Sequence, residues 1–443
     1  MLHSITMQGV GPSESLEIDF APRLNLITGD NGLGKSFLLD VAWWALTRTW
    51  AGEPIHPPYR QGKIVRSIDG LERVLPNPAP GRVAFDFDNA SGKRSTQRCS
   101  FDRATQRWKH DAGRPPSAGL ILYACIDGSF CVWDPARNYW KDAPSAADDP
   151  DRIDAFKFDT HTIWSGIQNR EAVFCRGLLS DWVAWQKTND PAFKQLTRVL
   201  DHLSPKGGDL VLEPGQPTRV SPTDVREMPT LALPYGDVPI LETSAAVRRI
   251  AAMAYLLVWA FREHQAAQEF LGMKPEPRII FLIDEIESHL HVRWQRSILS
   301  SLMDVTKELA PKANVQILAT THSPFVPLSI ENIVEERTDA SWDLDLVDQK
   351  VTLTRRPWER RGDIAGWATS NLFDLKSTRS IEGEAVISDL QALYRRAATE
   401  DAAISKREVA AMEKRLQAVL PELDPIFSRW RIFKESLAGR TTR

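Results

Sequence analysis

Ile27-Thr28-Gly29-Asp30-Asn31-Gly32-Leu33-Gly34-Lys35-Ser36 is the stretch on which the fold turns. It reads G-x-x-x-x-G-K-S, the spacing of a phosphate-binding loop. The apolar run Leu24-Asn25-Leu26-Ile27 before it predicts a buried strand, and the run from Phe37 to Trp50 after it predicts a helix. Gly29, Gly32 and Gly34 let the backbone bend until successive N–H groups point at one anion, with Asp30, Asn31 and Leu33 filling out the loop. The helix N-terminus adds partial positive charge. Lys35 supplies an ammonium for β- and γ-phosphates, and Ser36 a hydroxyl for Mg²⁺.

A second stretch completes the chemistry. Arg278-Ile279-Ile280-Phe281-Leu282-Ile283-Asp284-Glu285 is an apolar run ending in two carboxylates, as a buried parallel strand would. Asp284 suits a Mg²⁺ site, and Glu285 suits a general base for an attacking water. A helix is expected over Val292 to Leu309, then a strand over Val315–Thr321 that ends at His322. His322 is placed to contact a γ-phosphate. The strand–helix–strand alternation predicts an α/β domain with a mainly parallel sheet. Its ligand belongs at the carboxyl ends of the strands.

The remaining residues set limits. The chain has 443 residues, 26% charged and 42% hydrophobic, which is ordinary for a soluble globular protein of two or three lobes. A net charge of −3 gives no global field toward nucleic acid. Cys99, Cys125, Cys131 and Cys175 form no C-x-x-C and read as reduced packing thiols. Neither a leader nor a bilayer-spanning run is expected, which predicts a cytoplasmic protein.

Strands are expected at Ser4–Met7 and Leu16–Phe20 around a Gly-Pro turn, and again at Arg82–Asp88 and Leu120–Cys125. Asp127-Gly128 is a two-residue hairpin signal before Ser129–Trp133. Loops are expected at 51–82 and at the acidic Asp142–Asp154, and a helical pattern over Trp164–Leu203. The tryptophans in that pattern read as packing residues. Ser204–Pro239 reads as a linker, followed by a long helix from Ser244 to His264. The predicted organisation is a head in two pieces, 1–50 and 240–330, with a mixed α/β insertion at 51–239. A mostly helical extension covers 331–443. In that extension a hairpin is expected at Asp343–Val347 and Lys350–Leu353, then three helices from Ser380 to Lys434. Leu390, Leu393, Leu416, Val419 and Leu420 are expected to form a small bundle or a docking face.

Taken together, Gly29–Ser36, Asp284-Glu285 and His322 resemble the ABC-type P-loop ATPases of the SMC, RecF and OLD kind. Asp284-Glu285-Ile286-Glu287-Ser288-His289-Leu290-His291 and Thr321-His322-Ser323-Pro324 are similar to runs in the ATPase subunits of Septu and retron anti-phage systems. The resemblance implies an ABC-type head with an antiparallel β-layer, and ATP and Mg²⁺ as ligands. It implies a homodimer or higher oligomer formed by sandwiching ATP between two copies. There the signature motif of one copy covers the γ-phosphate held by the other. The candidate is Ser244-Ala245-Ala246-Val247-Arg248-Arg249, with Ser244 and Arg248 as phosphate contacts. Its two alanines depart from the glycine usual in the family. Gln168 is the candidate Q-loop glutamine.

The implied function is a nucleotide-dependent switch ATPase of a defence or DNA-processing complex. Its effector nuclease, of HNH or Toprim type, would be a separate polypeptide, with nucleic acid left open as a partner and no membrane involved. The alternatives are an ATP-bound scaffold with negligible turnover and a RecF-like repair ATPase. A metal site at Glu287, His289 and His291 is weighed against a dimer-facing loop, and the loop is preferred. A Toprim pair at Asp343 and Asp345 lacks a preceding strand-terminal Glu and is not favoured.

Overall fold

The computed structural model describes residues 1–57, 81–112, 114–138, 153–170, 172–207, 210–398 and 404–440. Most of the loop expected at 51–82, and of the acidic loop expected at Asp142–Asp154, lies outside the described residues. The chain divides into two units, Met1–Phe373 and Asp374–Arg443.

The first unit opens with β1 (Leu2–Gln8) and β2 (Ser15–Asp19), antiparallel across the expected Gly-Pro turn. Next come β3 (Leu24–Gly29), the phosphate loop and α1 (Lys35–Thr47). β4 (Arg82–Asp88), β5 (Arg94–Asp102) and β6 (Arg107–His110) then extend the first antiparallel layer, in the order β2-β1-β4-β5-β6. β7 (Leu120–Ala124), β8 (Phe130–Trp133) and β9 (Phe156–Phe158) join the sheet of the phosphate loop instead.

Short elements follow: α2 (Thr162–Ser165), β10 (Ile167–Gln168) and β11 (Val173–Cys175). Then come α3 (Leu178–Thr188) and α4 (Pro191–Leu203), and a small sheet of β12 (Glu213–Pro214), β13 (Thr230–Leu233) and β14 (Gly236–Pro239). The long helix α5 (Ala245–Phe270) leads to β15 (Arg278–Ile283), α6 (Val292–Gln295) and α7 (Ile298–Leu309). β16 (Asn314–Thr320), α8 (Phe325–Ile330), β17 (Asp339–Val347), β18 (Lys350–Arg356) and α9 (Ile364–Ala368) end the unit.

The large sheet has the order β18-β17-β3-β16-β15-β7-β8-β9. β17, β3, β16, β15 and β7 run parallel, and the flanking strands are antiparallel. Both faces are covered, so the strands read as continuous apolar runs. The period-two pleat divides them. Ile279, Phe281 and Ile283 face the core of α4, α5 and α7, whereas Ile280 and Leu282 face that of α1 and the antiparallel layer. Burying each such side chain stabilises by about 1.5–3 kcal/mol.

Two buried amides join the layers. Gln316 donates to Leu2 O and Ala21 O and accepts from Leu2 N, while Asn25 exchanges hydrogen bonds with Ala21. Replacing Gln316 with Leu would leave those backbone groups unpaired, at about 1–3 kcal/mol each.

The expected domain boundaries need correction in two places. Strands within 51–239 are not an appendage: β4–β6 complete the antiparallel layer, and β7 pairs in register with β15. Within 331–443, β17 pairs parallel with β3, so the hairpin belongs to the head and the helical unit starts only at Asp374. Backbone hydrogen bonding between strands distant in sequence decides both.

The second unit consists of α10 (Ile381–Ala398), α11 (Lys406–Val419) and α12 (Ile426–Arg440). Leu390, Leu393, Leu416, Leu420 and Trp430 bury against one another. The apolar residues expected to form a bundle or a docking face therefore have a core of their own.

Candidate functional site

The phosphate loop takes its shape from three glycines. Gly29 lies at φ 130°, where an added Cβ would meet Leu344 O of β17 at 2.1 Å. Gly34, at φ 101°, is the left-handed N-cap of α1, a conformation other residues adopt at a cost. Lys35 is 5% exposed, and its Nζ donates to Gly29 O at 2.7 Å and Asp30 O at 2.9 Å. Burial pulls its pKa down, opposed by the carboxylates of Glu285 and Asp284. The ammonium thus stands between the loop and the acids of a different strand. Asp30, Asn31 and Gly32 are exposed on the loop, Leu33 anchors it in the core, and Ser36 is half-buried at the start of α1.

The acids come from the next strands. β16 lies between β3 and β15, so their carboxyl ends are neighbours. Asp284, just past β15, is buried; its N–H donates to Ala124 O at 2.9 Å, and its Oδ1 accepts from Thr320 Oγ1 at 2.6 Å. Thr320 Oγ1 in turn accepts the Glu285 N–H at 2.7 Å. Glu285 sits at φ 42°, a left-handed conformation rare outside glycine, which turns its side chain out of the strand line. His322 Nε2 lies 3.3 Å from Glu285 Oε1, and both side chains remain partly exposed. Acid and histidine can therefore reach a common ligand atom.

Glu287 holds this arrangement from beneath. It accepts hydrogen bonds from Thr321 Oγ1, at 2.7 Å, and from the backbone N–H of His322. Burial raises its pKa, and these donors oppose the rise. The reading from sequence gave it no such role, nor one to Thr320. The polar pair Thr320-Thr321 closing a buried strand was the available signal. Asp40 was also missed. It lies one helical turn after Ser36, accepts from Tyr123 Oη of β7 at 3.0 Å, and has its pKa raised to about 6, mainly by burial.

Other expected residues fall elsewhere. His289 is exposed at φ 62°, and His291 caps α6 by accepting from Arg293 N at 3.3 Å. Among the described residues no group of three His, Cys, Asp or Glu could hold a metal. Gln168 is exposed in β10, paired with Val173, and nothing brings it to the acids. The segment beside Asp284 is instead the end of β7, at Ala124. Asp343 is buried against Arg356 at 2.8 Å, and Asp345 bonds the N–H of Leu346, so the pair does not converge as a nuclease site.

The candidate signature begins α5. Ser244 is its N-cap, its hydroxyl accepting from Val247 N at 3.3 Å, and it is exposed. Arg248 Nη1 donates to Leu241 O at 2.9 Å and Thr243 O at 3.1 Å, folded onto its own chain.

A glycine-shaped loop with a buried ammonium, a hydroxyl and a braced carboxylate is a donor set that fits a magnesium nucleoside triphosphate. Fold and site resemble an ABC-type P-loop ATPase head. Comparison with known proteins finds similarity over parts of the chain. Residues 238–329 match the family described as "AAA domain, putative AbiEii toxin, Type IV TA system", and residues 4–107 match one described as "AAA domain". The Septu protein PtuA of Bacillus mycoides (strain KBAB4) is 34% identical over 100 residues, 22% of this chain and 13% of that protein. The retron Ec83 probable ATPase of Escherichia coli is 36% identical over 96 residues, 22% of this chain and 15% of that protein. The chain is thus similar to a small part of the curated relatives it matches. An SMC head domain from Thermotoga maritima aligns at 14% identity over 80% of this chain and 99% of that one, with a TM-score of 0.38.

Proposed function

We propose that this protein hydrolyses ATP and uses the cycle as a dimerising switch within an anti-phage defence complex. The observation that carries the reading is the convergence of Lys35, Asp284, Glu285 and His322 at three adjacent strand ends. Lys35 and the loop N–H groups hold the β- and γ-phosphates. Ser36 and Asp284 would hold Mg²⁺, which when bound withdraws charge from the phosphate oxygens. Glu285 takes the proton of the attacking water, and the bond to the leaving ADP breaks as the water oxygen joins the γ-phosphorus. His322, seated on the Glu287-braced turn, orients Glu285 and senses the γ-phosphate.

The exposed start of α5 supports dimerisation, since Ser244 and the helix N-terminus, with Arg248 beside them, are open to a second copy. The similarity to Septu and retron proteins supports a separately encoded effector, which we propose is a nuclease of HNH or Toprim type. No helix among the described residues is long and apolar enough to cross a membrane. A cytoplasmic location is part of the proposal and goes with the ATPase reading. Ser244 spends its hydroxyl on its own helix cap and is followed by Ala245 and Ala246, which favours a second reading, an ATP-bound scaffold.

The two readings part in one experiment. ATPase rate and sedimentation velocity are measured with and without Mg-ATP. Turnover above that of a Lys35→Ala control, with an ATP-dependent dimer, supports the switch. Tight ATP binding with no turnover leaves the scaffold.

A further inference from the structure

Arg249 ends the candidate signature stretch Ser244–Arg249, in which only Ser244 and Arg248 were given a role. It follows Arg248 on α5 but points differently. Its Nη1 donates to Ile126 O at 3.1 Å. Ile126 lies just past β7, whose last residue, Ala124, accepts the N–H of Asp284. Arg249, Asp127, Ile283 and Ile286 line one cavity of about 340 Å³ beside the strand ends. The start of α5 is thereby tied to the end of β7, beside Asp284, while Ser244 on the same helix is exposed.

The charges around Arg249 make the tie electrostatic as well. Asp284, Glu285 and Glu287 approach it from the segment after β15, and Asp127 from the β7–β8 turn. Among the described residues none of these carboxylates lies within ion-pair distance of it, so its charge is shared rather than locked to one partner. Lys35 feels Asp284, Glu285 and Glu287 as well, Asp40 on α1 feels Asp284, His322 lies against Glu285, and Arg248 and His289 line the same cavity as Arg249. Half-buried, Arg249 is weakly screened.

We propose that Arg249 is a positioning residue of the hydrolysis site: it fixes the end of β7 and supplies the second cation against which the carboxylates and the triphosphate are arranged. This rests on the ATPase reading. It has a distinctive consequence, because a fixed cation attracts ATP and repels Mg²⁺. Removing the charge must move the two ligands in opposite directions, which general damage to the fold cannot do.

The test uses the full chain as wild type, Arg249→Gln and Arg249→Lys. Gln keeps a polar amide but loses the charge, and Lys keeps the charge. Metal-free ATP binding is measured by calorimetry in EDTA. The Mg²⁺ midpoint and kcat are measured from turnover at saturating ATP. For Gln, ATP binding should weaken roughly threefold to tenfold, the Mg²⁺ midpoint should fall by a similar factor, and kcat should drop. Lys should restore all three toward wild type. Parallel weakening of ATP and Mg²⁺, or no change in either while wild type turns over, would overturn the proposal. Absence of turnover in wild type would count against the ATPase reading instead, and the metal-free ATP arm would still decide the role of Arg249.

Discussion

The carboxyl edge of the central sheet and the start of α5, the two regions proposed to share a nucleotide, are built differently. At the edge, each functional group is held by a different strand or loop: Asp284 by Thr320 and Ala124, the His322 turn by Glu287, Lys35 by its own loop carbonyls. At the start of α5, Ser244 and Arg248 bond only to their own neighbourhood, within a few residues. The edge is preorganised within one chain. Arg249 anchors the same helix start to Ile126 O, which leaves Ser244 exposed, as the proposed closure by a second copy requires. Under that reading a single chain binds nucleotide without closing on it.

The largest expected effect tests the edge outright. Lys35→Ala should abolish measurable ATP binding in calorimetry while leaving the fold intact, because its ammonium donates to loop carbonyls rather than packing against apolar groups. Affinity like that of wild type would dissolve the contrast. Next is Glu285→Gln, which keeps the shape and loses the base. Its ATPase rate should fall by about 10²–10⁴-fold. ATP binding should hold, and the mutant should accumulate as an ATP-loaded dimer in sedimentation. If it neither hydrolyses nor dimerises, the helix start is the deficient half.

Glu287→Ala sharpens the comparison by removing a brace and no ligand contact. Two donors, Thr321 Oγ1 and His322 N–H, lose their acceptor. Stability should fall by about 1–3 kcal/mol in urea titration, with turnover reduced more than ATP affinity. Asp40 gives a pH signature. Its folded pKa, about 6, lies above the ordinary carboxylate value, so the native state binds a proton that the unfolded chain has lost. Stability should therefore decline as pH rises from about 4 to 6, by about 2 kcal/mol. Asp40→Asn should flatten that slope in thermal melts, and an unchanged slope would remove Asp40 from it. The smallest effect belongs to the helix start. Ser244→Ala should cost about 1 kcal/mol as a lost cap and leave ATP affinity of the single chain unchanged. ATP-dependent dimerisation should be lost, and a mutant that still dimerises would take Ser244 out of the sandwich.

Much of the edge was legible because its chemistry is local. Gly29 to Ser36 is contiguous, and Asp284-Glu285 and His322 each end an apolar run whose composition marks a buried strand. Arg249 was not legible: whether it or Arg248 turns toward the acids depends on what packs against α5, and adjacent helical positions point about 100° apart. The role of β7 was hidden for a related reason. Its pattern says strand, but pairing with β15 rather than with β4–β6 is a choice among hydrogen-bonding partners far apart in the chain.

From its residues alone this chain specifies a phosphate loop, a carboxylate-tipped strand and a histidine-tipped strand, because motif spacing and hydrophobic period act over short separations. The tertiary structure alone decides that β16 stands between the other two strands and brings them together, and that β17 closes over Gly29. It also decides that Glu287 holds the His322 turn and that Arg249 ties α5 to the end of β7 at Ile126. Those outcomes depend on strand order, register and helix rotation, which are settled by the packing of the whole unit and leave no mark in any one stretch.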